Sequence, residues 1–115
     1  MARNHYYLSI DDLAHARGAD PRFAYDGAGP DDFARALQGA LRDGSLFERW
    51  RAAQPDPDGV DEGLYGTDPG AQVQAQVADL HTEVDLLTSL PMSVVRHRLN
   101  VLIGATWKLR DMRTA

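Results

Sequence analysis

Apolar and polar residues alternate along two consecutive segments in the second half of the chain. Residues 72–77 read Gln-Val-Gln-Ala-Gln-Val. In residues 80–88 one face carries Leu80, Thr82, Val84, Leu86 and Thr88, and the other carries His81, Glu83 and Asp85. A period of two is typical of half-buried strands. The parity of the apolar face changes at Ala78-Asp79, which predicts a hairpin turn or bulge between two strands.

A helix is the alternative for this region. Apolar residues at helical spacing also run through it, and Asp68-Pro69 could begin such a helix. The members of that stripe are Val73, Val77, Leu80, Val84 and Leu87. The strict alternation of the glutamines and the β-branched residues of 82–88 favour the strands.

The C-terminal part predicts a helix over Met92–Ile103, ended by Gly104, and then a short strand over Thr106–Arg110 with Trp107 and Leu109 inward. The broad apolar face of the helix carries Met92, Val95, Leu99, Leu102 and Ile103. Val94 and Val101 lie nearly opposite, with His97 and Arg98 beside them. A helix that is apolar on two sides is either covered on both or meets a partner.

The N-terminal half begins with a strand candidate, His5–Leu8, which could extend through Ile10. The residues from Ser9 to Asp12 resemble a helix start, and predict a short helix ending at Gly18. Arg22–Tyr25 is expected to be a short extended piece.

Two further helices and a long loop follow. Pro30 and two acids begin the first helix, whose apolar stripe is Phe33, Leu37, Ala40 and Leu41. Ser45 and Glu48 form a predicted capping box for a second helix that ends near Ala53. Residues 54–70 contain three Pro, four Gly and five acids, which predicts a loop that Leu64 and Tyr65 could attach to the body.

The predicted order is strand, helical region, strand, strand, helix, strand. This βαββαβ order predicts an α+β fold, specifically a two-layer ferredoxin-like sandwich in which helices cover one face of an antiparallel sheet. At 115 residues the chain is expected to form one domain, with the acidic Pro/Gly-rich loop at 54–70.

Composition adds limits on the protein's environment and chemistry. The sequence has no cysteine, which excludes disulfides and thiolate catalysis. It also has no apolar run long enough for a signal peptide or a membrane span, so we expect a soluble cytoplasmic protein. The abundance of Ala, Arg, Asp and Gly suggests a bacterial source.

Charge is unevenly distributed. The net charge of −5 argues against nucleic-acid binding, which requires basic surface, even though Arg96, Arg98, Lys108, Arg110 and Arg113 lie close in sequence. Residues 52–95 contain eight acids and no Lys or Arg, whereas residues 96–113 contain five bases and one acid. Lys108 and Arg110 are expected to face Glu83 and Asp85 across the sheet, and a dipolar docking surface is the alternative.

The best candidate for metal or acid–base chemistry is the strand face of His81, Glu83 and Asp85, where neighbouring members are about 7 Å apart. An exposed polar sheet face explains the same pattern without any ligand. The acids of 56–62 lack the spacing of a calcium loop, and no Gly-x-Ser-x-Gly motif occurs. We therefore predict no metal and no cofactor.

These patterns favour a non-enzymatic protein-interaction module of the adaptor, regulator or immunity/inhibitor type. It is expected to dock a partner protein or to form a homodimer, through the open sheet face or the second face of the C-terminal helix. The candidate interaction residues are Tyr7, Val94, His97, Val101 and Lys108. The alternative is a small enzyme or ligand-binding domain that uses His81, Glu83 and Asp85.

Overall fold

The computed structural model describes residues 3–27 and 29–114. In chain order the strands and helices are β1 (Asn4–Ile10), α1 (Pro30–Arg42), α2 (Ser45–Ala52), β2 (Gln72–Ala78), β3 (His81–Thr88), α3 (Met92–Ile103) and β4 (Trp107–Thr114). The predicted α+β domain with an antiparallel four-stranded sheet is confirmed. None of the helices in the described ranges has the length and apolarity needed to cross a membrane.

The strand order is β2-β3-β1-β4, with every neighbouring pair antiparallel. β1 runs through Ile10, as in the longer of the two predicted versions, and lies between β3 and β4. Lys108 and Arg110 therefore do not face Glu83 and Asp85, and the expected cross-strand compensation is wrong. Lys108 Nζ lies 3.5 Å from Asp11 Oδ2, and Arg110 Nε donates a hydrogen bond of 2.8 Å to Ser9 Oγ.

β2 and β3 form the predicted hairpin, so the helical alternative for residues 73–87 is wrong. The turn consists of Asp79 and Leu80, with φ of +49° and +71°. Two consecutive positive φ values are typical of the tight turns that match the twist of a hairpin. This turn removes Leu80 from the strand alternation, and its side chain is 96% exposed instead of pointing inward.

One core lies between the sheet and the helices. The inward positions of β1 and β3 are fully buried, as the alternation predicts, and the apolar stripes of α1 and α3 pack on them. The largest contributors are Tyr6, Leu8, Ile10, Phe33, Leu37, Leu41, Leu86, Leu99 and Ile103.

Three local predictions in the first half of the chain are wrong. The N-cap of α2 is Gly44, and Ser45 is the first residue of the helix, so the expected capping box is absent. Asp43 Oδ1, just before the cap, accepts hydrogen bonds from Ser45 N (2.9 Å) and Ser45 Oγ (2.7 Å). The helix expected before Gly18 is only a 3-10 turn, Leu13–His15. The piece expected to be extended at residues 22–25 is a turn, in which Phe23 N donates to Asp20 O.

α3 has the predicted bounds, and two glycines position its C-terminal end. Gly104 ends the helix with a φ of +66°, a conformation that favours glycine. Gly18 N donates to Leu102 O at 3.0 Å, and a Cβ at Gly18 would collide with Val101 O. The segment before α1 is thereby held close against the end of α3.

The acidic loop, residues 54–70, contains two 3-10 turns, Pro57–Gly59 and Glu62–Leu64. Its end is attached through Asp68, whose backbone N donates to Leu41 O at 2.7 Å. The Asp68 carboxylate accepts hydrogen bonds from Thr88 Oγ1 (2.8 Å) and Ser89 N (3.0 Å). One side chain thus joins the loop to the end of β3.

Candidate functional site

The sheet face opposite the core is the candidate site, and we call it the open face. In the register of the four strands it carries His5, Tyr7, Ser9, Gln72, Gln74, Gln76, His81, Glu83, Asp85, Leu87, Lys108, Arg110, Asp111 and Arg113. All of these side chains except Ser9 are exposed or half-buried. Side chains alternate between the two faces of each strand, and the apolar residues lie on the core side. The residues left on the open face are therefore mostly polar.

A groove of about 440 Å³ runs across the open face. Its polar lining comes from Tyr7, Ser9, Gln74, Gln76, Glu83, Asp85 and Arg110. Ser9 is 2% exposed and lies under the guanidinium of Arg110. The groove therefore has hydrogen-bond donors and acceptors, two carboxylates and one fixed cation, and its volume lies within the usual range for small-molecule sites.

Asp85 holds an oxygen that is only partly satisfied. His5 Nε2 lies 3.0 Å from Asp85 Oδ1, but the two groups are not aligned for a hydrogen bond, and Oδ1 is buried without a hydrogen-bond partner. A buried carboxylate oxygen costs free energy when it lacks a donor. The Asp85 side chain as a whole is partly exposed and lines the groove, so its carboxylate is accessible there although Oδ1 itself is shielded.

The three side chains of the candidate metal face, His81, Glu83 and Asp85, do not converge on one point. His81 Nε2 lies 3.5 Å from Glu83 Oε1, while Asp85 is directed toward His5. Within residues 3–27 and 29–114, no three His, Asp or Glu side chains are grouped so that they could hold a metal ion.

Tyr7 occupies the centre of the open face and contacts groups of different charge. Its ring centroid lies 5.3 Å from that of His5 and 5.8 Å from the guanidinium carbon of Arg113. In the register, Tyr7 lies between Asp85 on β3 and Asp111 on β4. On the open face β3 carries the acids Glu83 and Asp85, whereas β4 carries three basic residues and one acid. Tyr7 lies between the two strands.

The expected apolar patch on the second face of α3 is wrong. Val94 is 1% exposed and belongs to the core, and Val101 is half-buried and packs against that core. The acidic loop covers this side of α3, and local periodicity does not indicate such a long-range contact. Leu64 and Gly66 of the acidic loop approach this side of α3, and a Cβ added to Gly66 would lie 3.6 Å from Val94.

A fully buried arginine is the feature that sequence reasoning missed. Arg98 is 0% exposed; its Nη2 donates to Leu64 O (2.8 Å) and Gly66 O (3.2 Å). The guanidinium carbon lies 4.6 Å from the ring centroid of Phe47. Arg98 therefore attaches the acidic loop to α3 through two backbone carbonyls of the loop, and its guanidinium also packs on the Phe47 ring of α2. The only signal in the sequence was the position of Arg98 beside Val94 and Val101.

His97 is half-buried next to this arginine rather than presented to a partner. Its ring centroid lies 4.3 Å from that of Trp50, and its Nδ1 is 2.8 Å from Arg98 Nη1. Burial and the neighbouring charge of Arg98 lower the pKa of His97 to about 4. Burial also lowers the pKa of Arg98, to about 10. At neutral pH His97 is therefore uncharged and accepts a hydrogen bond from Arg98.

Of the predicted interaction residues, the structure brings Tyr7 and Lys108 to the open face and places Val94, His97 and Val101 on the other side of the molecule. Comparisons of the sequence with protein-family models and curated proteins, and of the fold with solved structures, found no significant match.

Proposed function

We propose that this protein is a non-enzymatic interaction module that docks a partner protein on the open face of its sheet. The observation that supports this proposal is the large polar face itself, whose side chains remain exposed around one tyrosine. Interfaces between proteins that associate reversibly are about as polar as other surfaces, with aromatic and arginine side chains enriched. Tyr7, Arg110 and Arg113 provide those anchors.

The finer fold assignment belongs to the same proposal. The element order is βαββαβ apart from the additional helix α2. This order, the strand order β2-β3-β1-β4 and the packing of α1 and α3 in one core support a ferredoxin-like sandwich. In that architecture the second sheet face is free for partners, because the helices cover only the first.

The experiment is site-specific photocrosslinking in the native host. A photoreactive amino acid replaces exposed Gln74 on the open face, or exposed Leu80 in the β2–β3 turn as a control. We expect a discrete crosslinked protein from position 74 that is absent from position 80 and is lost when Tyr7→Ala is added. Crosslinks of equal yield at both positions, or a yield that Tyr7→Ala leaves unchanged, would contradict docking on this face.

A second candidate function is binding of a small cationic ligand in the groove, and the two carboxylates in its lining, Glu83 and Asp85, favour it. An ammonium or guanidinium group could donate charge-assisted hydrogen bonds to Asp85 and Glu83. Titration of the protein with methylammonium and with guanidinium at low millimolar concentration, followed by amide NMR shifts, tests this candidate. Saturable shifts at Gln74 and Asp85 that disappear in Asp85→Asn would favour the ligand-binding function over protein docking.

A further inference from the structure

The outer edge of β4 differs from the other edge of the sheet. β4 pairs with β1 on one side only, and it ends the strand order, so its outward backbone groups have no strand beside them in the described residues. At the opposite edge, side chains of α1 contact the start of β2. Gln38 Oε1 accepts from Val73 N at 3.1 Å, and Arg42 Nε donates to Ala71 O at 2.7 Å. An eight-residue edge without such cover is a site for strand addition.

The side of β4 that faces the helices carries apolar side chains that the helices leave partly uncovered. Trp107 is half-buried against the core, whereas Leu109 is 43% and Met112 is 51% exposed. Charged residues on an edge strand usually prevent pairing with another chain. In β4 the charged side chains of residues 108–113 all lie on the open face, and the helix side of the edge carries only apolar groups between Trp107 and Met112.

A bulge gives β4 a symmetrical pattern. The pairing with β1 shifts between Tyr7 and Leu8, so that Asp111 is opposite Tyr7, Leu109 is opposite Leu8, and Arg110 is the extra residue. Residues 107–114 therefore read helix side, open, helix side, open, open, helix side, open, helix side. This pattern is the same in both directions from the midpoint between Arg110 and Asp111.

Directly opposed residues of two antiparallel strands point to the same side of the sheet. In a regular strand the side chains alternate, so an odd-numbered residue can be opposite only an odd-numbered residue of the second copy, and an even-numbered residue only an even-numbered one. The bulge in β4 permits the register in which Leu109 meets Met112 of the second copy and Arg110 meets Asp111 of the second copy. We propose that two copies of this chain pair through β4 in this register and form one continuous eight-stranded antiparallel sheet.

The charges fit this register with one exception. Arg110 and Asp111 form two opposite-charge pairs related by the twofold axis. Lys108 lies opposite Arg113 of the second copy, but each already has an acid nearby. Lys108 Nζ is 3.5 Å from Asp11 Oδ2, and Arg113 Nε is 2.9 Å from Asp111 Oδ2.

The twofold axis of this dimer is perpendicular to the sheet, so both open faces lie on the same side of the dimer. The proposed dimer does not depend on whether those faces dock a partner.

The first test is the oligomeric state of the full chain, measured by sedimentation equilibrium from micromolar to near-millimolar concentration. We expect a concentration-dependent dimer whose dissociation constant rises about tenfold or more in the double variant Leu109→Glu/Met112→Glu. The matched control is Leu80→Glu, because Leu80 is more exposed than either residue and lies in the β2–β3 turn, which β1 separates from β4. A monomer at every concentration, or a dimer that the double variant leaves intact, would overturn the proposal.

The second test reads the register and does not depend on a charged substitution being tolerated. The sequence has no cysteine, so Leu109→Cys and Met112→Cys each introduce a single thiol. Opposed strand residues lie about 4.5–5.5 Å apart at Cα, within the range of a disulfide. A mixture of the two variants should form a disulfide-linked dimer under mild oxidation in much greater yield than either alone. Equal yields in the mixture and in the separate variants would contradict this register.

Discussion

Arg98 donates a hydrogen bond of 2.8 Å to the carbonyl oxygen of Leu64, and so a fully buried cation on α3 holds an acidic loop in place. The guanidinium contacts two loop carbonyls, the Nδ1 of His97 and the ring of Phe47. The described acids of the loop are exposed or point elsewhere. Anchoring the loop in this way also covers Val94, which would otherwise be an exposed apolar residue.

We predict that Arg98→Met releases the loop more than it unfolds the domain. The loop carbonyls can bind water once the guanidinium is removed, and the methionine no longer carries the desolvation cost of a charge. The free energy of unfolding should fall by about 1–2 kcal/mol. Amide hydrogen exchange at Leu64–Gly66 should accelerate strongly while that of β1 and β3 changes little. Equal acceleration across the whole sheet would contradict a local anchoring role.

We predict that His97 makes the protein less stable as the pH falls. Its pKa is about 4 in the folded state against an ordinary value of 6.5. Between these values the unfolded chain binds a proton that the folded protein does not, so this contribution to the free energy of unfolding decreases from about pH 6.5 downward. Urea denaturation from pH 7.5 to 5 should show a shallower loss of stability in His97→Gln than in the wild type. An equal slope would show that His97 titrates alike in both states.

Asp68 should also make the protein less stable as the pH falls, but over a more acidic range than His97. Burial alone would raise the pKa of its carboxyl, but hydrogen bonds from Ser89 N, Thr88 Oγ1 and Gly70 N, together with Arg3, outweigh burial and lower the pKa. The stabilisation is therefore present above the ordinary pKa of 3.8 and is lost as the pH falls through the folded-state pKa.

Asp68→Asn should accordingly reduce the free energy of unfolding by about 2 kcal/mol at pH 7, and by less near pH 3. The control is Glu62→Gln, an exposed acid in the same loop that should change stability by about 0.5 kcal/mol or less. An effect of Asp68→Asn that is the same at both pH values would mean that the ionised carboxylate is not the stabilising species.

The two faces of β3 should respond very differently to substitution. Val84 is 2% exposed, and Val84→Asp should unfold the domain because an unpaired buried carboxylate costs several kcal/mol. Glu83, its neighbour on the open face, is exposed, and Glu83→Lys should change the free energy of unfolding by about 0.5 kcal/mol or less. Far-ultraviolet circular dichroism and urea denaturation measure both. A folded Val84→Asp variant would be inconsistent with the core position of this strand.

Gly18 and Gly39 provide a second matched comparison. A Cβ at Gly18 would collide with Val101 O at the end of α3, and Gly18→Ala should destabilise the protein by about 1–3 kcal/mol. A Cβ at Gly39, in the interior of α1, meets no atom within 4 Å. Gly39→Ala should therefore stabilise the protein by about 0.5–1 kcal/mol. Changes of the same sign in the two variants would contradict this difference in packing.

The sequence predicted what depends on local periodicity. The alternation in 72–88 predicted the hairpin, and the 92–103 stripe predicted α3 with its correct bounds. Features that depend on distant parts of the chain were not predictable. The burial of Val94 and Arg98 requires a loop about 30 residues away in sequence to fold against α3. Likewise, the exposure of Leu109 and Met112 depends on how far α3 extends and on a bulge in β4.

The central position of β1 has a consequence for the order in which the chain can fold. Both neighbours of β1 come from the second half of the sequence, and Ser9 and Arg110, which are hydrogen-bonded across the sheet, are 101 residues apart. Contacts of such long range are formed slowly, because a large loop must close before they contribute. During synthesis β1 emerges from the ribosome first but cannot complete its pairing until β4 has followed. β1 therefore remains open to mispairing until both β3 and β4 have been synthesised.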